Sequence, residues 1–267
     1  MSTSPTDSSS PSSSSSDRAS RRATDAAADG TVSAVADRAL SRRALLVGAG
    51  SAVVSGGAGA LTTGAIGDDH DDGSAPALSA APTPTQGDHR YATMGTGDAE
   101  LTLTYFGNWK CPHCATFSDG LLRTLLAEYV TTGDVALRFR NLTWTDGEPF
   151  LGSDGPTAAR AGLAVWNVDP ESYWSYHELV MRDQRSPGTT WATTDHLVAL
   201  AHEAGVSDPE ILRAAVEQEA YERRLRATGD AAAAAGIGGV PTLVVGDTAL
   251  SPFAETSVRR AIDRELR

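Results

Sequence analysis

Apolar residues along the chain switch period several times, and each switch predicts an element. Leu101-Thr102-Leu103-Thr104-Tyr105-Phe106 alternates with period two and is bulky or β-branched, which predicts a strand. Directly after it, Phe117, Leu121, Leu122, Leu125, Leu126 and Tyr129 recur at helical spacing. Pro112 falls in the first turn of that helix, where its missing N–H costs no hydrogen bond. Val135 to Phe139 reads as a second strand. From about Pro156 to Ala235 the period is helical throughout. Helix starts are visible at Asp169-Pro170 and at Ser207-Asp208-Pro209-Glu210, the latter with the spacing of a capping box. Gly236 to Gly239 closes this region. Thr242-Leu243-Val244-Val245, Gly246-Asp247 and Thr248-Ala249-Leu250 then give a strand, tight turn and strand, and Ala254 to Leu266 a last helix. Strands interleaved with helices predict an α/β domain beginning near His89.

The first third of the chain follows no such period. Residues 1–40 are rich in Ser, Asp and Ala and cannot bury enough apolar surface to offset the entropy of ordering, so disorder is expected there. Ser41-Arg42-Arg43-Ala44-Leu45-Leu46 places paired arginines before an uncharged stretch that runs to Gly67. Residues 41–67 therefore look like a twin-arginine export signal, with a membrane anchor as the competing reading. No cysteine follows closely enough for a lipid anchor. Residues 68–88, mostly Asp, Ala, Pro, Thr and Ser, read as a flexible linker. Its acidic run at Asp68, Asp69, Asp71 and Asp72 reads as a solvated segment and not as a metal site. The expected organisation is thus a domain over residues 89–267, with a helical insertion at about 150–235.

Charge narrows the range of partners. The 267-residue chain carries 34 acidic against 22 basic residues, a formal net charge of −12. Nucleic acids and anionic membrane surfaces, which need a surplus of Lys and Arg, are not expected partners. Lys110 is the single lysine. This acidic, lysine-poor composition resembles that of proteins from extremely salt-loving archaea, and we read it as adaptation to salt, not as function.

The candidate chemistry lies in Cys111-Pro112-His113-Cys114, which holds both cysteines of the chain. Two cysteines separated by two residues at a helix start can close and open a small disulfide ring with little backbone movement. The first sulfur is expected to be exposed and the second covered. Unpaired N–H groups at the helix terminus stabilise a Cys111 thiolate, and His113 and Lys110 are placed to add positive charge. A stabilised thiolate favours the reduced form, so the disulfide should be oxidising. Zinc ribbons and copper chaperones share this spacing, but no further ligand is convincingly placed, and neither a metal nor a cofactor is expected.

Gly239-Val240-Pro241-Thr242 precedes a late strand, and together with the strand, Cys111-Pro112-His113-Cys114 and the long helical region it resembles the DsbA family of the thioredoxin superfamily over roughly residues 89–267. The resemblance implies a thioredoxin fold interrupted by a helical subdomain, with Pro241 in the cis form beside the active sulfur. It implies a dithiol oxidase for exported proteins with free thiols, recharged by a redox partner that the sequence does not name. Cys111 would receive the substrate sulfur while Cys114 leaves, Pro112 and His113 would tune the pair, and Val240 and Pro241 would bind substrate. The chain departs from the family pattern at two positions. Tyr105 stands where relatives carry a buried acid, and Asn108 where some carry an aspartate.

Two other readings compete with an oxidase. One is an extracytoplasmic reductase or isomerase, and the other is a metal-binding or chaperone-like module without turnover. Trp109 and Phe106 flank the motif and are expected mainly in the core, with a substrate groove as the alternative. Tyr173, Trp174 and His177 share helical spacing and resemble an aromatic and histidine cluster of the family's helical subdomain, where packing is expected. His196 and His202 match no ligand spacing, and Ser153 and Asp154 match no nucleophile pattern. Asn141-Leu142-Thr143 fits an N-glycosylation acceptor.

Overall fold

A computed structural model describes residues 75–85 and 90–267. The Ser-rich segment, the paired-arginine stretch and the start of the expected linker lie outside the described residues.

Strand β1 (Thr93–Met94) opens the domain, and β2 (Leu101–Gly107) runs through its middle. Helix α1 (Pro112–Asp119) and the short α2 (Leu121–Leu125), which widens into a π-turn over Leu126–Val130, lead to β3 (Val135–Asn141). A small hairpin, β4 (Trp144–Thr145) and β5 (Glu148–Pro149), follows. Five helices come next: α3 (Gly155–Val168), α4 (Tyr173–Arg182), α5 (Thr194–Glu203), α6 (Ile211–Glu217) and α7 (Glu222–Ala234). The chain ends with β6 (Thr242–Val245), β7 (Thr248–Leu250) and α8 (Glu255–Glu265).

The main sheet has the order β1-β3-β2-β6-β7. Strand β2 pairs in parallel with β3, from Leu101 opposite Val135 to Gly107 opposite Asn141, and antiparallel with β6. Its position explains its sequence. Leu103 and Tyr105 are buried on one face, while Phe106 turns to the other and joins Leu142, Ala232 and Ile237. Both faces are covered, so the carboxyl end of β2, where the cysteine motif begins, emerges from the middle of the core. This is the thioredoxin-type sheet with a helical insertion that the resemblance implies.

Helix α3 is the axis of the insertion. Eleven of its residues, from Gly155 to Trp166, are buried, and small side chains let α4, α5, α6 and α7 pack around it. Trp109 crosses from the sheet into this helical layer. A Cβ at Gly162 would fall 2.0 Å from its ring, so only glycine permits that approach.

Two expectations are corrected. The linker does not run free of the domain as far as residue 88, because Leu78, in a 3₁₀ turn at Leu78–Ala80, is buried in the core and the Pro82 carbonyl accepts the Gly95 N–H at 2.8 Å. The capping box at Ser207 does not form. The Ser207 N–H bonds to Asp169, the Glu210 carboxylate bonds to Arg213, and α6 starts only at Ile211 without a side-chain cap. Asp169 does act at the other predicted start, accepting the Ser172 N–H.

Candidate active site

Cys111 is the N-cap of α1, with extended backbone, and Pro112 occupies the first turn as its preset φ favours. The Cys111 carbonyl accepts the N–H groups of Cys114 and Ala115 at 3.0 and 3.2 Å, starting the helix on the motif itself. Both cysteines are free thiols. Cys114 is fully buried, and Cys111, contrary to expectation, is only 5% exposed, while Pro112 and His113 face solvent. The cover over Cys111 includes the loop before β6: its thiol donates to the Val240 carbonyl at 3.6 Å, and the Val240–Pro241 peptide is cis. Residues 111–114 and 240–241, far apart in sequence, therefore form one site.

The two thiols have opposite acidities. Hydrogen bonding from the Cys114 thiol lowers the Cys111 pKa, partial burial opposes this, and the N–H groups of Cys114 and His113 with the His113 charge add to the lowering, giving about 6. Cys114 moves far in the other direction, first because it is buried and then because the Cys111 sulfur takes its proton as a hydrogen bond and repels a second charge. The Asn108 N–H, 3.4 Å from Sγ, and the Tyr105 hydroxyl partly offset this rise.

Lys110 does not play the expected part. It is buried and turned away from Cys111, paired with Asp154 and donating to the Thr189 carbonyl at 3.1 Å. The other oxygen of Asp154 accepts the N–H groups of Trp191 and Ala192, both at 2.9 Å. Charge compensation explains the geometry, since an unpaired ammonium at this depth would be costly.

Of two supporting residues, Gln184 carries no signal in the sequence, and Asn108 stands out there only as a departure from the family pattern. Gln184, just past α4, donates to the carbonyls of Trp109 and Cys111 at 2.7 and 3.2 Å and holds the motif loop against the insertion. Asn108 accepts the Lys110 N–H at 2.8 Å and donates to the Leu142 carbonyl at 2.7 Å, so an amide at this position braces the loop from two sides. Both contacts are long-range or backbone-directed, which sequence spacing does not encode.

The remaining candidates separate cleanly. Trp109 is core: its ring packs against Phe139, Tyr176 and His177, and its Nε1 donates to His177 Nδ1 at 2.9 Å. Phe106 is buried in the second cluster, below the Arg140 guanidinium. Tyr173 and Trp174 stack around His177, whose burial lowers its pKa to about 3 and keeps it neutral. His196 bonds to Asp183 at 2.7 Å and His202 is exposed. The glycosylation expectation is corrected, because both side-chain polar atoms of Asn141 are buried and Thr143 is fully enclosed. Among the described residues, no group of three or more His, Cys, Asp or Glu side chains is placed to hold a metal ion.

Comparison with known proteins places this geometry. Disulfide bond formation protein D of Bacillus subtilis (strain 168) is 29% identical over 175 residues, covering 65% of this chain and 76% of that protein. The probable disulfide bond formation protein D of Bacillus cereus is 28% identical over 176 residues, covering 66% and 78%. The crystal structure of oxidised BdbD from Bacillus subtilis superposes with a TM-score of 0.61 at 27% identity, over 70% of this chain and 98% of that one. DsbA of Chlamydia trachomatis, at 23% identity and a TM-score of 0.57 over 68% and 96%, shares the fold. The thioredoxin family profile matches residues 88–264, and with a cysteine pair at a helix start beside a cis-proline the chain belongs to the thioredoxin family, as a thiol-disulfide oxidoreductase.

Proposed function

We propose that the chain is a dithiol oxidase that introduces disulfides into exported proteins through Cys111 and Cys114. The observation that carries this reading is the placement of the pair, with Cys111 capping α1 beside the cis Val240–Pro241 peptide and Cys114 fully buried behind it. A substrate thiolate attacks the Cys111 sulfur of the disulfide, and Cys114 departs with the electron pair of the broken bond. A second substrate thiolate attacks the substrate sulfur of the mixed disulfide and expels Cys111 as a thiolate. A thiol with a pKa near 6 is a good leaving group, so this second step is favoured.

The site residues have separable roles in this scheme. Pro112 and His113 set the helix terminus and its N–H groups toward Cys111. Val240 and Pro241 carry the substrate segment, with Pro241 keeping a competing N–H away from the sulfurs. Relatives named for disulfide bond formation support the oxidising direction. The paired arginines at Arg42-Arg43 support export and action outside the cytoplasm, on protein thiols, with a separate redox partner returning the pair to its disulfide. Among the described residues, no helix is long and apolar enough to cross a membrane. The lysine-poor, acidic composition supports operation in concentrated salt.

Equilibrating the purified protein with glutathione buffers measures the direction. An oxidase should hold its disulfide weakly, with a potential well above that of thioredoxin at about −270 mV. A value near that reference, with a Cys111 pKa near that of a free thiol, sinks the oxidase reading. Cys114→Ala should accumulate mixed disulfides with exported proteins on Cys111.

A further inference from the structure

Between the end of β2 at Gly107 and the start of α1 at Pro112, the chain turns through Asn108, Trp109, Lys110 and Cys111. The Cys111 N–H bonds to the Asn108 carbonyl at 3.0 Å and the Lys110 N–H to the Asn108 side chain at 2.8 Å, so the turn satisfies these donors itself. The carbonyls of Trp109 and Cys111 instead meet one side chain from the insertion. Gln184 Nε2 lies 2.7 Å from the first oxygen and 3.2 Å from the second, with the sulfur of the buried Met181 at 3.3 Å.

Three acceptors around one nitrogen settle which way this amide faces. Turned over, it would set its own oxygen against two carbonyl oxygens, so the NH₂ group looks into the turn. The Cys111 carbonyl is also the first acceptor of α1, taking the N–H groups of Cys114 and Ala115. The plane of that peptide therefore decides how the helix terminus stands to the Cys111 sulfur, which lies 3.6 Å from the Val240 carbonyl. Without a donor the plane is free to rotate, and two partial negative charges are left uncompensated beside a thiolate.

The insertion is what delivers Gln184. The loop that follows α4 is pinned on both sides of it: Asp183 bonds to His196 on α5 at 2.7 Å, and the Thr189 carbonyl takes the Lys110 ammonium at 3.1 Å. The backbone of Gln184 is thus fixed before its side chain reaches the turn.

We propose that Gln184 is a positioning residue for Cys111, holding the Trp109 and Cys111 carbonyls so that the sulfur keeps its place at the N-terminus of α1 and the helical insertion takes part in stabilising the thiolate. This role rests on the oxidoreductase reading of the cysteine pair. Gln184 acts through the backbone of the turn and not on the sulfur.

The test compares full-length wild type, Gln184→Met and Gln184→Glu in two measurements, the thiolate absorbance of Cys111 against pH and the equilibrium of the pair with glutathione. Methionine keeps the length of the side chain and loses both donor hydrogens. Glutamate keeps the shape and turns a negative charge toward the two carbonyls. The thiolate should titrate above the wild-type midpoint of about 6 in both variants, and further above it in Gln184→Glu. At about pH 8, Gln184→Met should hold the reduced form about threefold less well and Gln184→Glu about tenfold less well, the latter a fall of about 30 mV in potential. Asp183→Ala loosens the same loop by releasing His196 but leaves the amide in place, so its midpoint and equilibrium should match the wild type. Thermal midpoints of the oxidised forms record any loss of stability separately. Gln184→Met and Gln184→Glu proteins that melt earlier yet keep the wild-type titration and glutathione equilibrium overturn the positioning role and leave the redox reading intact, as does an equal shift in Asp183→Ala. A wild-type pair that does not exchange with glutathione overturns both.

Discussion

At the scale of single residues, the site depends on how unequally one proton is shared between two sulfurs. The hydrogen bond from Cys114 is the largest influence lowering the Cys111 pKa, with the helix N–H groups and His113 behind it. Cys114→Ala should therefore do more than trap intermediates: it should raise the Cys111 midpoint from about 6 toward the free-thiol value of about 8.5. Thiolate absorbance against pH measures it, and an unmoved midpoint would shift the credit to the helix terminus. The sign for stability follows. A thiol whose folded pKa is depressed stabilises the reduced protein above the unfolded pKa, and that stabilisation is lost as pH falls through about 6. The advantage of the reduced over the oxidised form in denaturant melts should shrink correspondingly on acidification. Cys111, Cys114 and Pro241 were legible in sequence because each belongs to a short motif next to a strand end. Lys110 was misread for the same reason: adjacency to Cys111 suggested a shared field, and only the fold shows Asp154, 44 residues away, taking its charge. Gln184 carries no local signal at all.

At the scale of elements, period and turn chemistry located β2, β3 and the β6–β7 hairpin closely, but the helix read through Phe117 and Tyr129 is broken at Gly120 into α1, α2 and a π-turn. The helical insertion was legible as helix but not as five helices. In α3 nearly every residue is buried, so a helix without a polar face leaves no amphipathic pattern to mark its limits. The failed capping box at Ser207 shows the complementary problem, a local motif outcompeted by the Asp169 carboxylate of a distant turn. Helix α3 also sets the layer spacing through Gly162, where Trp109 enters. Gly162→Ala places a methyl inside the van der Waals radius of the indole ring. The substitution would gain helix propensity on an exposed surface, but here overpacking should dominate, with a net loss of about 1–3 kcal/mol in denaturant unfolding. Because Trp109 borders the motif and bonds to His177, the displaced ring should also alter tryptophan fluorescence on reduction. A variant as stable as the wild type would mean that α3 shifts freely against the sheet.

At the scale of the whole molecule, the thioredoxin-type sheet and the helical insertion have to be held in one register at the active loop. The buried Lys110–Asp154 pair does this, with Lys110 on the loop before α1 and Asp154 fastening the backbone of Trp191 and Ala192 before α5. Burial alone would raise the Asp154 pKa, but the bonds from Lys110, Ala192 and Trp191 outweigh it and hold the carboxyl below its ordinary value. The resulting stabilisation is present above the unfolded carboxyl pKa of about 3.9 and is lost as pH falls through the lower folded value. Lys110→Met leaves a buried carboxylate without its cation and should cost about 3–5 kcal/mol at neutral pH. Asp154→Asn should also destabilise at neutral pH, with its deficit narrowing as the wild-type carboxylate protonates in acid. The double variant Lys110→Met with Asp154→Asn should lose less than the two single losses added, because neither charge is then stranded. Salt distinguishes this clamp from the surface. The exposed pairs of Arg213 with Asp195 and Glu210 are screened by ions, whereas the buried pair is not. The Lys110→Met deficit should therefore persist in concentrated salt even though the charge of −12 on the chain is screened there. A deficit that fades with added salt would place water between Lys110 and Asp154 and remove the clamp from the account of how the active loop is held.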